Sequence, residues 1–162
     1  MTDTYIELPE SGGSGATDVA ELTPVTDGSL AGAGEIGEIF TSTVAAATGA
    51  GVGATGVFGS VTSLALGAGV WAITAVGAMS QNGATMSSPF VFGISDSATG
   101  VGIGQFAQSR YSFLITDDDV QFPTPEIIVS IAGATTYYLN SFFNYSAGSP
   151  EHYGQITARR IR

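Results

Sequence analysis

Short apolar runs rich in β-branched and aromatic residues recur through residues 36–162, most of them bounded by Gly, Pro, Asn or Asp. That spacing is what most limits the folds open to the chain. A branched or aromatic side chain packs well on a pleated, half-buried surface, and Gly, Pro, Asn and Asp supply the turns between strands. Eight such runs read as strands: 36–42, 58–66, 70–79, 89–95, 111–115, 126–132, 135–145 and 153–162. The only helical competitors, Ala45-Ala46-Ala47 and 65–75, lie beside glycines and β-branched residues that weaken a helix. The expected fold is therefore all-β, a jelly-roll β-sandwich of about eight strands, preceded by an extended N-terminal arm.

The arm is legible in the charges. The net charge is −10, and residues 1–40 hold Asp3, Glu7, Glu10, Asp18, Glu21, Asp27, Glu35 and Glu38 with no basic residue. The rest of the chain carries six acids and four arginines. Within the acidic region, Ser11-Gly12-Gly13-Ser14-Gly15-Ala16 and Ser29-Leu30-Ala31-Gly32-Ala33-Gly34 have linker composition. The division expected is a flexible acidic arm over 1–34 and one domain over 35–162, a size that suits a single core. Ahead of the first linker, Tyr5, Ile6, Glu7 and Leu8 form a short alternating segment stopped by Pro9. Such a segment cannot fold alone but can add a strand to another protein's sheet, so these four residues are the candidate anchor.

Composition also narrows the chemistry. Only 11% of the residues are charged, none is a lysine and none a cysteine, which removes disulfides and thiolate metal sites from consideration. An acidic chain of this kind is repelled by nucleic acid. The apolar stretch 57–79 is interrupted too often by Gly, Ser and Thr for a membrane helix, and the N-terminal residues show no signal-peptide pattern. No membrane, nucleic-acid or cofactor partner is expected.

Several motifs have a chemical reading and a plainer one. Gly32-Ala33-Gly34-Glu35-Ile36-Gly37 and Gly51-Val52-Gly53-Ala54-Thr55-Gly56 match the glycine spacing of a dinucleotide-binding turn. Neither precedes a helical pattern, so both read as glycine-rich loops. Asp117-Asp118-Asp119 lacks the ligand spacing of a calcium loop and reads as an acidic turn. His152, the sole histidine, stands in Ser149-Pro150-Glu151-His152-Tyr153-Gly154; neighbours in sequence do not make a catalytic triad, and the segment reads as a turn. Trp71 reads as a core aromatic near the start of a strand.

Two strands are apolar on both faces: Tyr137-Tyr138-Leu139 with Phe142-Phe143, and Ile127-Ile128-Val129. One face meets the core, and the other needs a neighbouring subunit, since monomers rarely expose large apolar patches. Arg159, Arg160 and Arg162, three of the four cations, close the chain. They read either as a solvated strand end or as carboxylate partners across subunits, a role the guanidinium fork suits. Tyr137, Phe142, Arg159, Arg160 and Arg162 are accordingly the candidate subunit contacts.

Three pieces of the sequence carry a resemblance: 34–39 opening the domain, Val61-Thr62-Ser63-Leu64-Ala65-Leu66-Gly67-Ala68-Gly69-Val70-Trp71 in its first third, and 137–162 closing it. In these the chain resembles the small jelly-roll fibre, knob and decoration domains of tailed-phage virions. The resemblance implies a homotrimer of tumour-necrosis-factor-like jelly rolls on the particle surface, fixed by its N-terminal segments to the major capsid protein or a tail component, and no enzyme. A host-receptor tip binding surface glycans through loops 81–88 and 146–152 is the alternative. A glycan depolymerase has little support, because no carboxylate pair stands out.

Overall fold

The computed structural model describes residues 31–100, 107–111 (backbone only) and 119–162. Tyr5, Ile6, Glu7 and Leu8 lie outside the described residues. Ten strands and one short 3₁₀ turn follow in order: β1 Ile39–Val44, the turn Ala46–Thr48, β2 Ala50–Gly51, β3 Phe58–Leu66, β4 Gly69–Ser80, β5 Met86–Ser95, β6 Ala107–Tyr111, β7 Asp119–Pro123, β8 Ile127–Ile131, β9 Thr135–Tyr145 and β10 Glu151–Arg160. All pairings are antiparallel. One sheet, called A here, has the order β1-β10-β4, with β7 and β8 end to end along the far edge of β4 and β2 beside the start of β10. Sheet B has the order β3-β9-β5-β6. The chain crosses between the sheets repeatedly, placing β1, β2, β4, β7, β8 and β10 in sheet A and β3, β5, β6 and β9 in sheet B, and the two sheets pack as a jelly-roll-like sandwich.

Period-two alternation fixes which side chains meet. Trp71, Ile73, Ala75 and Met79 of β4 and Ile156 and Ala158 of β10 face Leu139 and Phe143 of β9 and Phe90, Phe92 and Ile94 of β5, all buried. Phe122 of β7 joins them, its ring 5.6 Å from Phe92 and 6.4 Å from Phe90. Phe92 lies flat against Gly77, where a Cβ would run into its ring. Across the ladder Gly77 pairs with Gly154, where a Cβ would run into the Val76 carbonyl and Leu139.

β2 was not expected, β5 starts at Met86 rather than residue 89, and four further strands differ from expectation. β1 starts at Ile39 rather than residue 36 because Gly34 and Gly37 hold φ of +84° and +93°, a turn rather than a strand. The strand expected over 111–115 is instead β6, ending at Tyr111. β7 was not anticipated, since an Asp run before it and a proline at its end both read as turn. Its Val120 and Phe122 nonetheless pack on the core. β10 begins at Glu151, two residues early, which takes His152 into the sheet.

The sandwich has two ends. The residue-31–38 turn, Gly69, Arg160 and Ile131 mark the root. The turns after Ser80 and Tyr145 and the loop after Thr48 mark the tip, joined by Thr85 N–H to Ala147 O at 3.1 Å and Val52 N–H to Pro150 O at 2.9 Å. β4, with 12 residues, runs from one end to the other, a span of about 37 Å.

Candidate interaction surfaces

At the root, the turn over 31–38 folds back onto the last strand. Gly37 N–H donates to Arg160 O and Arg160 N–H to Glu38 O, both at 2.9 Å. Glu38 Oε2 accepts from Gly34 N–H at 2.9 Å and from Arg160 Nε at 3.0 Å. The guanidinium also donates through Nη1 to Ala68 O at 2.6 Å and lies 4.3 Å from the centre of the Trp71 ring. Phe40 packs on the same indole, 5.6 Å between centroids. The side chains of Arg160 and Glu38 are only 13% and 9% exposed, so the pair is desolvated and each charge depends on the other. The carboxylate pairing expected of Arg160 is present, but inside its own chain. The sequence reading missed Glu38; the signal was a carboxylate entering a strand whose partner strand ends in arginines.

The outer face of sheet A combines threonine and alanine with isoleucine, valine, glutamine and Arg159. Its first row across the strands is Ile39, Arg159, Ala72 and Ile128, set by the pairings Ile39 with Arg159, Arg159 with Ala72 and Ala72 with Ile128. Ile39 is 50% and Ile128 65% exposed, and Arg159 between them is exposed too. The next row holds Thr41, Thr157 and Thr74, and the one after it Thr43, Gln155 and Val76. Gln155 Nε2 donates to Thr43 Oγ at 2.9 Å and the hydroxyls of Thr41 and Thr157 are 3.3 Å apart. Arg159 is the charge in these three rows, and isoleucines stand at both ends of the first. Arg162 is exposed beyond β10, with its carbonyl oxygen accepting from Val70 N–H.

On sheet B the candidate contacts separate. Tyr137 turns inward and is buried in the core cluster, because odd positions of β9 face sheet A. Its side chain is thus a core element, which corrects its expected place at a subunit contact. Burial and, second, the nearby Asp96 charge push its hydroxyl pKa up. Phe142 points outward, half-buried, 5.0 Å from Phe58. Further along the same outer face, Asn140 is fully buried under the turn after β5, donating from Nδ2 to Ser97 O and Gly100 O at 2.7 Å each.

His152 is the largest departure from expectation. Read as a turn residue, it is instead 3% exposed, in β10, with its ring between the sheets and Nδ1 2.6 Å from Ser141 Oγ of β9. Proline and glycine around it mark the turn that ends just before, at Pro150. Ser141 is fully buried, so the pair is closed to any substrate. Neither glycine-rich motif opens a helix: 32–37 leads into β1 and 51–56 into β3. Among the described residues no three His, Cys, Asp or Glu side chains are grouped to hold a metal ion, and no helix is long and apolar enough to cross a membrane. No protein-family model matches the chain, and no curated protein matches it.

Proposed function

We propose that the chain is a structural protein of a tailed-phage particle, a homotrimer whose jelly rolls sit on the capsid or tail surface and whose N-terminal arms fix it there. The observation that carries this reading is the layout of the root. The acidic segment 1–30 joins the domain at Ala31, beside the Glu38–Arg160 pair, and the exposed Ile39–Arg159–Ala72–Ile128 row lies at that same end. Attachment and subunit contact would then share one end, leaving the tip free.

Docking would use main-chain pairing by Tyr5-Ile6-Glu7-Leu8, with the apolar side chains in pockets of the capsid or tail protein. Three arms per trimer raise a weak contact through effective concentration. Deleting residues 1–15 should leave a folded oligomer that no longer joins particles, measured as copies per particle by quantitative gel analysis. Normal occupancy after the deletion would refute the anchoring role.

A second reading, a tip that binds host-surface glycans, draws support from the joining of loops 81–85 and 146–150 at the end opposite the root. Purified oligomer that neither binds host cells nor blocks adsorption would exclude it.

A further inference from the structure

We propose that the Ser141–His152 pair is an acid-sensitive lock, holding the tip loops against the sandwich at neutral pH and releasing them when the imidazole takes up a proton. His152 stands where the tip is fastened. It pairs with Met79 of β4 on one side and with Ala50 of β2 on the other, and two residues before it Pro150 O accepts from Val52 N–H. The ring points into the sandwich with Cε1 packed beside Gly59 of β3.

The contacts of the ring are uncharged, Ser141 Oγ from β9 and the backbone of Gly59 from β3, and its register partner on β4 is Met79. Glu151 alternates to the opposite face of β10, with its carboxylate beside Gly49. The buried ion pair of Arg160 with Glu38 lies at the other end. A neutral imidazole is satisfied here by the serine hydroxyl, in whichever direction the proton lies. An imidazolium would be a buried charge without a counter-ion. Burial accordingly pushes the His152 pKa down.

The sign follows by linkage. A histidine whose pKa is lower folded than unfolded leaves stability untouched above the ordinary value of 6.5. Below it the open state binds the proton and the closed state does not, so the closed state loses up to tenfold in population per pH unit. The least costly way to wet the ring is to lift β2 and its glycine-rich flanks, since β2 has two residues and its ladder with β10 only two pairs. The root, tied by the long β4–β10 ladder, stays closed.

Backbone amide exchange read from pH 8 to pH 5, corrected for intrinsic rates, tests this. Protection of Val52 and Gly56 amides, bonded to Pro150 O and Phe143 O, should fall below pH 6.5 by up to tenfold per unit, with Gly37 and Ile161 at the root unchanged. His152→Asn, which can still reach Ser141, should abolish that dependence. Equal loss at both ends, or a pH dependence that survives in the variant, overturns the proposal. Should the variant not fold, the wild type still decides. Its single histidine gives one imidazole resonance, and titration at the ordinary value without change in the Val52 and Gly56 amides overturns the lock.

Discussion

Single residues decide this fold where charge or space is short. With only four cations in 162 residues, the burial of one of them is a strong commitment. Arg160 holds three partners at once: Glu38, Ala68 O and the Trp71 face. Glu38→Ala removes the counter-charge and leaves the guanidinium desolvated, an expected loss of about 3 kcal/mol. Urea unfolding followed by Trp71 fluorescence measures it directly, because Trp71 is the only tryptophan and touches the arginine. Arg160→Lys should recover only part of the stability, since one ammonium cannot span Glu38 and Ala68 O with the indole stacked between. The pair was half legible in the sequence. Alternation placed Arg160 on a face, but nothing local says which carboxylate, 122 residues away, closes onto it. His152 failed for the opposite reason, local turn chemistry at Pro150 masking a strand that starts one residue later.

The elements read more easily than the contacts, because period-two patterning is a local property. β3 and β9 appear at the limits their apolar runs suggest, 58–66 and 135–145. β7 and β8 show where locality runs out. Both pair with β4, β7 along 76–80 and β8 along 69–73, and the chain bends between them at Thr124-Pro125. There the side chain of Thr124 takes over the ladder: its hydroxyl accepts from Ala75 N–H at 3.1 Å and donates to Ala75 O at 3.2 Å, while Thr124 N–H donates to the same oxygen at 2.8 Å. A proline and a bend read as the end of a strand, yet the edge of β4 is covered across the break. Thr124→Val keeps the volume and removes the hydroxyl, leaving Ala75 N–H buried without a partner. A loss of about 2 kcal/mol is expected, visible in thermal unfolding. Thr124→Ser should stay within about 0.5 kcal/mol of the wild type if the hydroxyl carries the effect.

At the scale of the whole molecule the sandwich is asymmetric, and its assembly is the property least readable from sequence. Apolar patterning on both faces of β8 signalled something to be covered, and Ile128 meets that expectation, but Tyr137 of β9 does not, being buried in its own core. Which face remains open depends on the winding of two sheets, a long-range property that no local window contains. The open face is the outer side of sheet A, where Ile39 and Ile128 flank Arg159 on a surface otherwise of threonine, alanine, glutamine and valine. Burying both isoleucines against neighbouring copies would contribute about 3 kcal/mol per subunit, with Arg159 between them setting orientation more than affinity. Ile128→Asp places a carboxylate in that proposed contact and should convert the proposed homotrimer to folded monomer at micromolar concentration, as seen by sedimentation equilibrium with unchanged far-ultraviolet circular dichroism. Phe142→Asp, on the outer face of the other sheet, is the control and should leave the mass of the oligomer unchanged. If Phe142→Asp dissociates the oligomer and Ile128→Asp does not, the subunits meet through sheet B, and the arms at the root no longer lie beside the interface.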